Sequence, residues 1–238
     1  MNETAMTGDA HRVTPEQAER LHRFAHDIRN RLTGIREVLR HLGQPTPDID
    51  TVEMATFGEQ QFFKALREVE SLLDDMHVER GIGALNKEIL DPAVVVVRAL
   101  DGLQHRLTKK EQSVITDLAT DIKVSAHDRC LTDLVTALIS NASKFSHRGS
   151  TISITLKRTD ASAVLRVSDQ GVGLSPADLD ELFVRYAWLG SRTTEGEAQG
   201  RGTLARAAQW AVAHGGALRA ESGGTGQGSV FILELPVG

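Results

Sequence analysis

Asp169-Gln170-Gly171-Val172-Gly173, entered from the strand-like run Ala163-Val164-Leu165-Arg166-Val167, is the stretch on which the fold turns. A buried strand that ends in a carboxylate, followed by two glycines one residue apart, suits a nucleotide base. The carboxylate accepts a hydrogen bond from an exocyclic amine. The glycines let the backbone turn tightly against a ligand because they lack a Cβ. A lone DxGxG also describes many ordinary turns, so its meaning depends on what surrounds it.

The surroundings are mixed α and β from about residue 86 onward. Pro92 to Thr108 reads as a helix, Ser113 to Leu118 and Ile122 to Ser125 as strands, and Asp128 to Phe145 as a helix. In the last of these, Leu131, Leu134, Val135, Leu138 and Ile139 recur at helical spacing and face inward. Strands follow at Thr151 to Lys157 and Ala163 to Val167. Pro176 opens a short helix, Gly202 to His214 reads as another, and Ser229 to Leu235 closes as a strand. Interleaved elements of this kind predict an α/β sandwich.

Before residue 86 the texture is wholly helical. Residues 1 to about 13 are polar and predict a frayed end. Pro15 with Glu16 and Glu19 is a good helix start. Leu21, Ala25, Ile28, Leu32, Ile35, Leu39 and Leu42 then form one apolar stripe. Gly43-Gln44-Pro45-Thr46-Pro47 breaks the pattern. A second helix carries Phe62, Leu66, Val69, Leu73 and Met76 before Gly81 and Gly83. Such a hairpin has too little partner surface for both stripes. Two copies in a four-helix bundle, or docking onto the rest of the chain, would cover them.

With 238 residues, 40% hydrophobic and 25% charged, the chain has the composition of a soluble globular protein. A net charge of -5 gives no case for nucleic acid. The single cysteine, Cys130, rules out an intramolecular disulfide framework and suits a reducing compartment. Ala93 to Val97, the most apolar run, is far too short to span a bilayer. A cytoplasmic location is therefore expected, with no membrane span.

On the first helix, at about 100° per residue, His26 lies roughly 140° and Asn30 roughly 180° from the centre of the apolar stripe. Both should point to solvent, with Asp27 directly after the histidine. Neutral imidazole is a competent nucleophile, and an adjacent carboxylate can hold its tautomer. A solvated surface histidine would look the same. His22 lacks a following acid, and no histidine cluster has zinc-ligand spacing. Near the end of the long helix, the Asn141 amide could ligate Mg²⁺ and Lys144 could meet phosphate charge, although a solvent-facing polar pair fits equally. Gly200-Arg201-Gly202-Thr203 precedes a helix whose amino terminus could receive phosphates, or is simply a flexible loop.

Taken together, these segments resemble a sensor histidine kinase of the two-component systems, from about residue 15 to the end. His26-Asp27-Ile28-Arg29-Asn30-Arg31-Leu32-Thr33 resembles the phosphoacceptor box. Leu138 to Phe145 is similar to the N box, Asp169 to Gly173 to the first glycine box and Glu181-Leu182-Phe183 to the F box. Gly200 to Ala205 resembles the second glycine box, and Gly228 to Pro236 the final strand.

The resemblance implies an α+β chain in three parts. These are a disordered stretch at 1–13, a dimerising histidine-phosphotransfer hairpin at 14–85 and a Bergerat-type ATP-binding domain at 86–238. It implies autophosphorylation of His26 from ATP with Mg²⁺, assisted by Asp27, and transfer to the aspartate of a response-regulator receiver domain. Asn30 would position water for dephosphorylating that regulator. Asn141 would hold Mg²⁺, Lys144 the phosphates and Asp169 the adenine amine. Gly171 and Gly173 would shape the base pocket, and Gly200 and Gly202 belong to the lid.

Three positions depart from the family pattern. Arg31 stands where proline is common, so the helix should lack its usual bend. Ala137 stands where a polar or acidic residue usually assists transfer, and Thr203 where another glycine is expected. These departures suit an alternative, a phosphotransfer or scaffold protein with a degenerate ATP domain. The roughly 13 residues before the first helix are too few to sense a ligand, so a separate sensory protein is expected. An anti-sigma-type serine kinase would need no helical hairpin bearing His26.

Overall fold

The computed structural model describes residues 15–42, 51–75, 85–184, 189–195 and 202–237. The expected frayed end, the break at Gly43–Pro47, Met76, Gly81, Gly83 and Gly200 lie outside the described residues. The chain divides into two compact units, Met1–Val78 and Glu79–Gly238.

In the first unit, helix α1 spans Pro15–Leu42 and α2 spans Thr51–Asp75, and the two pack against each other. α1 runs unbroken through Arg31, as expected of a helix without proline there. Val38 is buried where Gly58 admits it: a Cβ at Gly58 would come within 2.8 Å of the valine side chain. Arg31 lies two turns before Val38 and pairs across the hairpin with Glu68, donating from Nε at 2.6 Å and also from Nη2. Leu32 and Leu39 each sit one residue further on, about 100° around the helix, and are 54% and 64% exposed. Phe57 and Phe62 of α2 are also about half exposed. The stripe read from the sequence is thus only partly buried by the hairpin: Leu21, Ile28 and Ile35 are half-buried, whereas Leu32 and Leu39 stay exposed.

The second unit contains β1 (Glu88–Leu90), α3 (Pro92–Lys109), β2 (Ser113–Leu118), β3 (Val124–Ala126), α4 (Asp128–Phe145), β4 (Thr151–Arg158) and β5 (Ser162–Asp169). It continues with α5 (Pro176–Glu181), α6 (Thr203–Ala213), β6 (Ala217–Glu221) and β7 (Ser229–Pro236). The main sheet has the order β2-β4-β5-β7-β6, with β2 parallel to β4 and the other pairs antiparallel. β1 and β3 form a separate antiparallel pair.

Alternation along β4 and β5 sends Ile152, Ile154, Leu156, Leu165 and Val167 to one buried face. Leu131, Leu134, Leu138 and Ile139 of α4 join them in the core, and α4 in turn packs on α3 and α6. Asp91 caps α3 by accepting from the Ala93 amide at 2.9 Å, and Pro92 occupies a first-turn position where its missing N–H costs nothing.

Two details differ from the sequence reading. β3 begins at Val124, not Ile122, because Asp121 turns the chain at φ 63° and Ile122 is buried without entering the ladder. β1 and β6 have no counterpart in that reading, being short pieces whose residues are mostly exposed.

Candidate nucleotide and phosphoacceptor sites

The apolar face of α4 is committed to the core, which leaves Asn141 and Lys144 half-buried at the end of the helix. That end is held from outside. Lys110, itself buried, donates from Nζ to the Ser143 carbonyl at 2.9 Å and to Thr194 Oγ1 at 2.8 Å. The Gln112 side-chain amide donates to the Ser143 carbonyl at 3.1 Å and accepts from Ser143 Oγ at 2.7 Å. Thr194 closes the arrangement by donating its amide to the Lys144 carbonyl at 3.1 Å and its hydroxyl to the Ser146 carbonyl at 2.8 Å. Carbonyls left open by the end of a helix are thereby satisfied. Neither Lys110 nor Thr194 carries a sequence signal, because the chain brings them to α4 from 34 and 50 residues away.

The Asp169–Gly173 segment meets this helix end directly. The Val172 amide donates to the Phe145 carbonyl at 3.0 Å. A Cβ on Gly171 would fall on that same carbonyl, so only glycine permits the approach. Gly173 has φ +69°, and a side chain there would also strike the Gly224 carbonyl. On the far side, the turn between β6 and β7 donates from Gly226 to the Val172 carbonyl at 2.7 Å and from Gly228 to the Gly171 carbonyl at 3.1 Å.

Asp169 is 5% exposed and ends β5 opposite Ser229 of β7. Its Oδ1 accepts from the Gly171 amide at 2.8 Å and the Ser229 amide at 3.3 Å; Oδ2 accepts from Ser229 Oγ at 2.5 Å. Burial pushes the carboxyl above its ordinary value, and the Ser229 hydroxyl and the two amides pull it partly back. A carboxylate has about four acceptor positions, so Asp169 keeps capacity for one more donor. Ser229 is read in the sequence only as the start of the last strand and is missing from the candidate site residues. Antiparallel pairing of the last strand with β5 is the signal that could have found it.

Ser229 also lines a narrow cleft, shared with Asn141, Phe145, Gly173, Leu174 and Leu204. Leu182 of the expected F box contributes to it as well, and Leu189 and Ser191 close a further side. Buried Asp178 braces that side: Oδ1 accepts from Gly190 N at 2.6 Å, while Oδ2 joins Ser175 in a capping box. Gly202 stands at the amino terminus of α6 with no side-chain cap. Ala137 is half-buried one turn before Asn141.

In the first unit, His26 is exposed on α1 with its Nδ1 3.2 Å from Asp27 Oδ1. The Asn30 amide nitrogen lies 3.3 Å from Nδ1 and 3.5 Å from Nε2. With the proton on Nδ1 the imidazole donates to Asp27, and Nε2 is left unprotonated as the ring nitrogen to which the Asn30 amide can donate. The three residues expected together on α1 do meet. Among the described residues no group of three or more His, Cys, Asp or Glu forms a metal site. No described helix is long and apolar enough to cross a membrane.

Residues 126–238 match the family described as histidine kinase-, DNA gyrase B-, and HSP90-like ATPase. The sensor protein ChvG of Agrobacterium fabrum is 29% identical over 230 residues, covering 89% of this chain and 38% of that protein. The chain therefore spans well under two thirds of that relative. Among solved structures, the mycobacterial sensor histidine kinase MprB is 26% identical with a TM-score of 0.57, over 63% of this chain and 98% of that one. Histidine kinase ThkA, in complex with response regulator protein TrrA, shares the fold at 17% identity, with a TM-score of 0.56 over 92% of this chain and 61% of that one.

Proposed function

Since residues 126–238 are a Bergerat-fold domain of the histidine kinase-, DNA gyrase B-, and HSP90-like ATPase type, in a chain related to sensor histidine kinases, we propose that this protein phosphorylates its own His26 from ATP. It then passes the phosphoryl group to a response-regulator aspartate. One observation carries the reading. The same chain holds a buried carboxylate with a spare acceptor beside a cleft and an exposed histidine already bound to a neighbouring carboxylate.

Asp169 accepts the exocyclic amine of adenine, and its burial makes that bond selective, since a base without the amine leaves the carboxylate short of a donor. Gly171 and Gly173 keep the base edge clear of side chains. Asn141 would hold Mg²⁺ through its amide oxygen, and the ion would neutralise phosphate charge there. Lys144 meets phosphate charge, and Gly202, at the amino terminus of α6, admits the triphosphate; Gly200 belongs with it to the lid. ATP supplies the γ-phosphoryl group. His26 attacks through Nε2, forming N–P as the γ-phosphorus to β,γ-bridging-oxygen bond breaks, and Asp27 stabilises the imidazolium that results. Asn30, one turn on, positions water for the reverse traffic at the regulator.

The half-exposed Leu32, Leu39 and Phe62 support pairing of the hairpin with a second copy into a four-helix bundle. The ThkA complex with response regulator protein TrrA supports a response regulator as partner. Ala137, which can neither orient water nor accept a proton, favours a second reading in which the ATP domain binds nucleotide but transfers poorly and His26 receives phosphate from another regulator. Incubation with labelled ATP and Mg²⁺ decides between them. The first reading expects an acid-labile, base-stable label that moves to a receiver domain. The second expects label only from a phosphorylated receiver.

A further inference from the structure

Asp27 has two hydrogen-bond donors within its reach along α1. The His26 ring is at 3.2 Å. Arg31 is one turn on along the same helix, at the i,i+4 spacing that brings an acid and an arginine together. Arg31 is not bound there. Its Nε and Nη2 both reach across the hairpin to Glu68 Oε1, and the two side chains are only 28% and 26% exposed. We propose that Glu68 is a positioning residue for His26, because it holds Arg31 away from Asp27 and so reserves the Asp27 carboxylate for the imidazole. This rests on the reading of His26 as the phosphoacceptor.

Arg31 and His26 compete for the Asp27 carboxylate. A guanidinium binds a carboxylate through two or more parallel donors, and a histidine ring through one. An Arg31 freed from Glu68 therefore captures Asp27, and the Nδ1 proton loses its acceptor. The tautomer that leaves Nε2 unprotonated and nucleophilic is then no longer favoured. Arg31 responds to both acids: its pKa is raised chiefly by the hydrogen bond to Glu68, with a smaller contribution from the Asp27 charge. The Glu68 pair is partly shielded from solvent, which strengthens it relative to a surface pair. Glu68 lies 37 residues from Arg31, so folding of the hairpin itself sets the arrangement.

The consequence is an ordering that a merely structural clasp would not give. Glu68→Gln frees the arginine and should slow His26 phosphorylation about fivefold in kcat, with KM for ATP unchanged. Arg31→Met loses the same clasp but leaves no competitor, and should stay within about twofold of the native rate. The double variant should recover to the Arg31→Met level. Equal losses in the two single variants, or a double variant no better than Glu68→Gln, would overturn the proposal. Ring ¹⁵N shifts of His26 give a readout independent of ATP. They should move toward the Nε2–H tautomer in Glu68→Gln and return in the double variant; no movement also overturns it. Absence of label on native His26 with the expected ¹⁵N pattern would instead sink the phosphoacceptor reading, while the control of the His26 tautomer by Glu68 through Arg31 and Asp27 would stand. Glu68→Asp, which retracts the carboxylate by one methylene, gives the same ordering in milder form if Glu68→Gln does not fold.

Discussion

Ser229 donates its hydroxyl to Asp169 Oδ2 at 2.5 Å, from the strand partner that stands directly opposite it. Ser229→Ala removes that donor and leaves a buried oxygen short of a partner. Loss of a hydrogen bond to a buried carboxylate costs about 1–3 kcal/mol. ATP affinity should drop about tenfold, because the carboxylate then faces the adenine amine in a less defined orientation. Calorimetric titration of nucleotide and a thermal melt check the two effects separately.

Nucleotide binding should weaken in acid. Burial raises the Asp169 carboxyl above the ordinary 3.8, so the folded chain without nucleotide favours the protonated form. That stabilisation is fully present below 3.8 and is lost as pH rises through the Asp169 value. An adenine amine donates more strongly to the ionised carboxylate than to the neutral acid, so ATP affinity falls as pH drops through the same value. Asp169→Asn should bind ATP at least about a hundredfold more weakly, with no pH dependence in this range. Its melting temperature should not fall, because the variant is relieved of a buried charge. Fluorescent-nucleotide titrations across pH read both changes.

Glycines that look alike in the sequence should respond very differently to alanine. Gly171→Ala drives a methyl into the Phe145 carbonyl, and Gly173→Ala combines positive φ with the Gly224 carbonyl. Each should cost about 3 kcal/mol or more and abolish nucleotide binding. Gly226, at φ +79° with nothing within 4 Å of an added methyl, should lose only about 1 kcal/mol as alanine. Denaturant melts of the three variants test the contrast.

His214 links the end of α6 to the start of α4, since its Nδ1–H donates to the Trp210 carbonyl and Nε2 accepts from the His127 amide at 3.0 Å. Burial lowers its pKa; the Trp210 bond opposes this, and the Lys87 and His127 charges add to the lowering. The folded state thus favours the neutral ring. Its stabilisation is full above the ordinary histidine value of 6.5 and is lost as pH falls from there through the lowered value. His214→Ala should be about 1–2 kcal/mol less stable than the native chain near pH 8, and the gap should close in acid. Parallel melts at several pH values measure it.

Much of this architecture is legible in the sequence because it rests on local pattern. The α4 stripe from Leu131 to Ile139 and the alternation through Ile152, Ile154 and Leu156 fix their elements unaided. His26, Asp27 and Asn30 are legible for the same reason, as neighbours on one helix. The partners of Asp169 are not, because Ser229 lies 60 residues away and meets it only through sheet register. Lys110, Thr194 and Glu68 are polar residues of ordinary appearance whose roles exist only after distant segments meet. The apolar stripe of α1 misleads in part. Periodicity locates Leu32 and Leu39 on one face but cannot say that α2 packs against the neighbouring face of Arg31 and Val38.

The most direct measurement of the central claim is site-resolved labelling. The native chain, His26→Ala and His22→Ala are incubated with γ-labelled ATP and Mg²⁺, and the phosphohistidine is mapped at neutral to basic pH. The account predicts label on native and His22→Ala chains and none on His26→Ala. Label that persists in His26→Ala and disappears in His22→Ala would contradict it.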